Sequence, residues 1–352
     1  MNGQITKNIE TIIKINKNLN KNYVYDRVKD IKWDINKLAK TTEITINFNC
    51  NSKCKFCYFK PEDFKNTNTP TLTDISATLY NGIKNGEWIA VIIGGEPTLN
   101  KNIFKIGLIA KKIGYPCIKI STNGILLTKD YIIRLINSGY NMFDISIHSP
   151  DPQIHNKLVG IDGAFNKVIN VCNYVKELNS ELGTNIVINK LNYKNFPEFM
   201  DLTYNKLKIN YYNIIFGHIR GMMKLNKNTL KIRYIDALEY IKKGLEVISK
   251  NNMPLFARVL VNFPPCLLPE YFNIIADWEN DEYNSSTLMV CGNPVINMTK
   301  MKNAQSTKTS KCKNCILNHR CRGLDKEYIK EFGDDEIKPL KEIPEQIFKV
   351  TF

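Results

Sequence analysis

Three of the chain's ten cysteines fall within the run N-C-N-S-K-C-K-F-C-Y (49–58): Cys50, Cys54 and Cys57, spaced C-x3-C-x2-C. Three thiols are too few for structural zinc, which takes four ligands, and one too many for a disulfide. They suit a [4Fe–4S] cluster, in which each iron wants a ligand, normally a thiolate. Three thiolates leave the fourth iron open to a small molecule that chelates through an amine and a carboxylate. A second group lies near the C-terminus. Cys312, Cys315 and Cys321 are spaced C-x2-C-x5-C, with Cys266 in P-P-C and Cys291 in V-C-G upstream. Three close thiols and one remote thiol close a second cluster or a zinc site; Cys266 is preferred to Cys291 as the fourth ligand. Cys117 and Cys172 lie on apolar faces of an expected strand and helix, and read as core thiols. His319 sits among the C-terminal cysteines, where zinc would accept it; it reads as a surface residue.

These residues need elements to place them. Strands are expected at Ile44–Phe48, Trp88–Ile93, Cys117–Ser121, Met142–Ile147, Asn185–Asn189 and Tyr211–Phe216, each rich in β-branched or aromatic residues. Helices are expected at Thr71–Ile83, Ile103–Ile113, Tyr131–Ser138, Phe165–Leu178, Phe196–Leu207 and Ile235–Lys250. Six alternating β/α units argue for a parallel sheet with helices outside. They are too few for an eight-stranded closed barrel, so the fold class is α/β, a partial (β/α)6 TIM-like barrel followed by a small cysteine-rich region. The expected division is an N-terminal helical extension (1–40), the barrel (41–251) and a C-terminal region (252–352) with one late strand at Leu255–Val261.

Function collects at the carboxyl ends of parallel strands. Here those ends carry the three cysteines, then G-G-E-P (94–97), S-T-N-G (121–124), S-I-H-S (146–149) and G-H-I-R-G (217–221). In this order the motifs resemble the radical S-adenosylmethionine (radical SAM) superfamily. The cysteine run, with aromatic Phe56 before the third thiol, is similar to that family's signature. Gly94, Gly95, Glu96 and Pro97 match its Gly-Gly-Glu-Pro motif, which implies contacts to the amino group of bound S-adenosylmethionine. Ser121, Thr122 and Asn123 resemble its ribose- and carboxylate-contacting stretch. Ser146 opens a run similar to its S-L-D…R-G stretch, with His148 where Asp is common and Lys157 in place of Arg. The resemblance implies one-electron cleavage of S-adenosylmethionine and hydrogen abstraction by the resulting 5′-deoxyadenosyl radical, chemistry the cofactor carries while the protein positions it. An electron donor such as flavodoxin or ferredoxin is implied as a partner. The C-terminal cysteines resemble the twitch and SPASM extensions of the family, which hold auxiliary clusters. The full SPASM pattern places a further cysteine where this chain has Asp325. C-R-G (321–323), Tyr328 and F-G-D-D-E-I-K-P (332–339) are similar to the tail of peptide-maturase-like members, which implies a peptide or protein substrate. A small-molecule or nucleotide enzyme resembling the molybdopterin-precursor cyclase is the alternative. That cyclase ends in two glycines, whereas this chain ends K-V-T-F.

Bulk properties bound the rest. The 352 residues are 43% hydrophobic and 24% charged, with a net charge of +15. The lysines are scattered rather than blocked, and no basic, aromatic single-strand platform is evident, so nucleic acid is not the expected partner. No run of about 20 apolar residues spans a membrane, and the N-terminus has no apolar signal region. A cytoplasmic setting follows, in which ten cysteines point to metal or redox chemistry rather than disulfides. An iron–sulfur electron carrier is the non-enzymatic alternative; it would need neither Gly-Gly-Glu-Pro nor S-T-N-G.

Overall fold

The computed structural model describes residues 41–60, 68–249, 259–276, 278–280, 286–290 and 296–348. The expected extension at 1–40, residues 255–258 of the late strand, and Cys291 lie outside the described residues.

Strands and helices alternate through the first two thirds of the chain: β1 (Thr41–Thr45), α1 (Leu72–Lys84), β2 (Ile89–Ile93), α2 (Ile103–Ile113), β3 (Cys117–Thr122), α3 (Lys129–Asn137), β4 (Met142–Ser146), α4 (Pro152–Val159), α5 (Ala164–Glu177), β5 (Glu181–Ile188), α6 (Phe196–Met200), β6 (Tyr211–Phe216), α7 (Gly221–Leu225), α8 (Lys227–Leu230) and α9 (Tyr234–Ser249). Short elements follow: β7 (Leu260–Val261), β8 (Thr287–Met289), β9 (Ile296–Asn297), α10 (Met298–Gln305), β10 (Ser306–Thr307), β11 (Leu324–Asp325) and α11 (Lys326–Phe332). The sheet order is β7-β6-β5-β4-β3-β2-β1-β8-β9. Neighbours from β1 to β7 are parallel, β8 joins β1 in parallel, and β9 joins β8 antiparallel. This is the open α/β sheet expected of a partial barrel, with strands from the C-terminal third added at both edges.

Alternation along the strands separates two faces. Ile118, Ile120, Phe143, Ile145, Leu182, Ile186, Tyr212 and Ile214 are buried in one core with Val168, Val171 and Cys172 of α5 and Phe196 and Phe199 of α6. The opposite face of β3–β6 is polar. Asp144 Oδ2 accepts from Ser121 Oγ (2.9 Å) and Asn213 Nδ2 (3.0 Å), with Lys119 Nζ at 3.8 Å. Asp144 and Asn213 lie two strands apart, roughly 9–10 Å across a flat sheet. Two short side chains bond over that span because the sheet curves toward this face.

Three of the expected elements depart most from the sequence expectation. β1 begins earlier, because its Thr-Thr-Glu start reads as loop yet Thr42 is buried with its hydroxyl bonded to Glu87 and Tyr115. β5 begins at Glu181, whose side chain accepts from Asn210. The helix expected at Phe196–Leu207 is α-helical only to Met200 and widens into a π turn over Asp201–Lys206. There Thr203 Oγ1 donates back to the Phe199 carbonyl (2.8 Å), a bond that competes with the helical ladder.

Candidate functional site

The cysteine loop leaves β1 and stays against the exit of β2. Ile46 N donates to Ile93 O (2.9 Å), Gly95 N to Asn47 O (2.9 Å) and Glu96 N to Asn49 O (2.7 Å). This approach is why Gly95 must be glycine. A Cβ there would sit 2.4 Å from the Phe48 carbonyl oxygen and 2.5 Å from that of Asn49. The close contact required of Gly-Gly-Glu-Pro is thus with the chain leading into Cys50.

Glu96 is fully buried. Its Oε1 accepts from Thr98 N (3.0 Å), Thr98 Oγ1 (2.6 Å) and Thr122 Oγ1 (2.6 Å), and its Oε2 from Asn123 N (2.8 Å). Burial pushes its carboxyl up, against the pull of these hydrogen bonds. Pro97 opens a short 3-10 turn that Glu96 caps. Asn123 carries the link onward: its Nδ2 donates to Asn51 Oδ1 (2.7 Å) and Ser52 Oγ (3.0 Å), beside Cys50. Glu96, Thr122 and Asn123 therefore join three strand ends into one network. Ser121 and Ser146 point to the polar face instead, bonding Asp144 and Asn185.

The far side of the loop is held by α4 and the turn after β6. Lys53 N donates to Val159 O and Lys55 N to Leu158 O, both at 2.9 Å. Met222 N and Met223 N donate to Cys57 O at 2.8 and 3.3 Å. Phe56 is buried with Leu158, Met223 and Leu230, and its ring lies 4.4 Å from that of His148. His148 and His155 are buried; burial lowers both, His155 to about 4. His148 is thus a buried packing partner of the loop. Burial, then the neighbouring Cys57 and Cys50 sulfurs, push the Cys54 thiol up. A bound cation reverses that preference, because coordination deprotonates a thiol.

The C-terminal cysteines also meet. Cys266, Cys312, Cys315 and Cys321 line one cavity with Pro264, Pro265, Leu317 and Ile337. Burial, then the charges of Cys321, Cys312 and Cys315, push the Cys266 thiol up to about 12. Among the described residues, no three His, Cys, Asp or Glu side chains already stand at metal-ligating geometry. Both groups supply thiols, the donors an iron–sulfur cluster takes. His319 is exposed, and Cys117 and Cys172 are buried.

Sequence reasoning missed α4, although its signals were present: Asp151 caps it, Pro152 opens it and Gly160 ends it at φ +70°. It also missed Lys119, Asp144, Asn185 and Asn213. Their signal is a polar residue at alternate positions in otherwise apolar strands. Asn47, Asn51 and Ser52, which hold the loop, carry no pattern beyond proximity to Cys50.

Residues 44–203 match the family model described as "Radical SAM superfamily". A protein of Saccharolobus solfataricus named "Probable GTP 3',8-cyclase" is 31% identical over 183 residues, 52% of this chain and 58% of that protein. The "Fe-coproporphyrin III synthase" of Methanosarcina barkeri is 25% identical over 207 residues, 58% of this chain and 51% of that protein. The chain thus spans little more than half the length of these curated relatives. Among solved structures, Streptococcus suis SuiB bound to S-adenosylmethionine is similar with a TM-score of 0.60 at 18% identity, covering 90% of this chain and 79% of that one. Methylornithine synthase (PylB) follows at 0.51 and 14% identity, covering 72% and 74%. These likenesses concern the fold. The cysteine loop and the ends of β2 and β3 that hold it lie within the span, residues 44–203, that matches the radical SAM superfamily.

Proposed function

We propose that this protein is a radical SAM enzyme acting on a peptide or protein substrate. Cys50, Cys54 and Cys57 would hold a [4Fe–4S] cluster, and S-adenosylmethionine would bind over Gly94–Pro97, Ser121–Asn123, Ser146 and Phe56. When bound, these groups supply reductive cleavage of S-adenosylmethionine and abstraction of a substrate hydrogen. The observation that carries the reading is the Glu96–Thr122–Asn123 network, which ties two of the motifs to the cysteine loop. Oε2 of Glu96 accepts one of its four hydrogen bonds and Oε1 three. Oε2 is therefore the less occupied of the two carboxylate oxygens.

The cavity of Cys266, Cys312, Cys315 and Cys321 would hold a second iron–sulfur cluster, with zinc as the alternative content. A flavodoxin- or ferredoxin-like protein would supply electrons in a cytoplasmic setting. No helix among the described residues is long and apolar enough to cross a membrane. The peptide assignment rests on the C-terminal cysteines and the tail that follows them. A nucleotide substrate is the second reading, supported by the 31% identity to the probable GTP 3′,8-cyclase. The two separate in one assay. The reconstituted protein would be incubated with S-adenosylmethionine and reductant, and with either GTP or a synthetic peptide encoded by a small open reading frame beside the gene. Peptide-stimulated formation of 5′-deoxyadenosine with a mass change in the peptide supports the first reading. GTP consumption with an inert peptide replaces it with the second.

A further inference from the structure

A seam of opposite charges joins the segment after β6 to the C-terminal segment. Lys224 pairs with Glu327 (2.9 Å), Lys227 with Glu331 (2.6 Å) and Arg233 with Glu336 (2.5 Å). The two lysine pairs are partly exposed on both sides and add little individually, whereas Glu336, like Asp325, is buried. Arg220 and Asp325 differ from the lysine pairs. Arg220 Nη2 donates to Asp325 Oδ2 at 2.9 Å, with His218 Nδ1 at 3.5 Å, and Asp325 is only 8% exposed. The other oxygen, Oδ1, caps α11 by accepting from Glu327 N (2.8 Å) and Tyr328 N (3.3 Å).

The residues directly after Arg220 press on the cysteine loop. Gly221 has φ +51°, and a Cβ there would sit 2.2 Å from the Tyr58 carbonyl oxygen. Met222 and Met223 then direct their N–H groups at the Cys57 carbonyl. An anchored Arg220 fixes where those two N–H groups stand, and hence the backbone of the third cysteine. On the other side, Asp325 lies four residues past Cys321, which lines the C-terminal cavity. We propose that Arg220 and Asp325 form a positioning pair through which the C-terminal segment sets the backbone of Cys57. Its relevance to catalysis rests on the reading of Cys57 as a cluster ligand. The position that holds a further thiol in the SPASM pattern here holds a carboxylate that fastens the two regions together.

Residue-resolved amide exchange on the metal-free full chain tests the pair. Asp325→Asn keeps a good helix cap and loses the charge that holds Arg220; Arg220→Gln leaves the cap untouched. Both variants should speed exchange at Met222 and Met223 on the order of ten-fold, as a lost charged hydrogen bond allows local opening. Glu327 and Tyr328 should exchange as in wild type. Arg220→Lys should restore protection in part, and Lys224→Ala should change nothing at Met222. Unchanged exchange at Met222 and Met223 in both variants, or faster exchange spread evenly over α11 and the barrel, overturns the proposal. A second readout is the electron paramagnetic resonance spectrum of the reduced, reconstituted protein in a Cys312→Ala, Cys315→Ala background. Arg220→Gln should alter the signal while iron content holds; an unaltered signal contradicts the positioning role. If the parent in that background binds no iron, the proposed function fails at Cys50, Cys54 and Cys57, whereas the exchange result stands by itself.

Discussion

The two cysteine groups are built differently. Cys50, Cys54 and Cys57 share one loop, and that loop is fastened by backbone hydrogen bonds to the exit of β2, to α4 and to α7. Cys312, Cys315 and Cys321 lie in short turns, and Cys266 reaches their cavity from a separate 3-10 turn far upstream. One site is dictated by a local motif set at strand ends, the other by how distant segments pack. Precision resides in different places in the two groups. The first loop cannot shift without breaking contacts to the sheet. The second is assembled from segments far apart in sequence.

The comparison can be broken most severely by emptying one group at a time. Under the proposed function, Cys312→Ala should abolish iron binding at the C-terminal cavity and leave binding of S-adenosylmethionine intact; Cys50→Ala should do the reverse. Iron content and equilibrium dialysis read both. Loss of S-adenosylmethionine binding in Cys312→Ala would mean that the two sites do not divide these roles. Next in size is Glu96→Gln. An amide nitrogen would face donors that now bond a carboxylate, so S-adenosylmethionine affinity should fall about 10–100-fold, the range for residues that orient a metal site. Titration calorimetry measures the change.

Gly95→Ala probes the rigidity of the first loop directly. Its Cβ would meet two backbone oxygens at 2.4 and 2.5 Å, and overpacking of this kind costs about 1–3 kcal/mol, visible as a lower denaturant midpoint. The seam gives a pH-dependent effect. Burial alone would raise the Asp325 carboxyl, but hydrogen bonds from His218 and Arg220 hold it down to about 2. A depressed carboxyl contributes stability at pH values above its unfolded pKa of about 4. That contribution is lost as pH falls toward 2, and amounts to about 2 kcal/mol. Asp325→Asn should therefore flatten the stability profile between about pH 4 and pH 2. A profile as steep as wild type would remove Asp325 from the account.

The legibility of the chain follows the same division. α2 and β6 fall where the apolar pattern puts them, because their burial is periodic and local. Cys50, Gly95 and Asn123 could be read as a site because their chemistry is unusual for their position at strand ends. Asp144, Asn185 and Asn213 were legible only as alternation, since their shared role depends on curvature that no single strand encodes. Arg220 and Asp325 gave no signal as a pair: they stand about a hundred residues apart and meet through tertiary packing. β1 was misplaced for a related reason. Thr42 looks like loop until its partners Glu87 and Tyr115 are in place.

Under the proposed function, the first cysteine loop positions S-adenosylmethionine for reductive cleavage. The most direct test is to reconstitute the protein anaerobically with iron and sulfide, add S-adenosylmethionine and dithionite, and quantify 5′-deoxyadenosine beside Cys54→Ala. Wild type should give product and the variant none. Equal product from both, or none from fully reconstituted wild type with GTP or peptide present, would contradict that function.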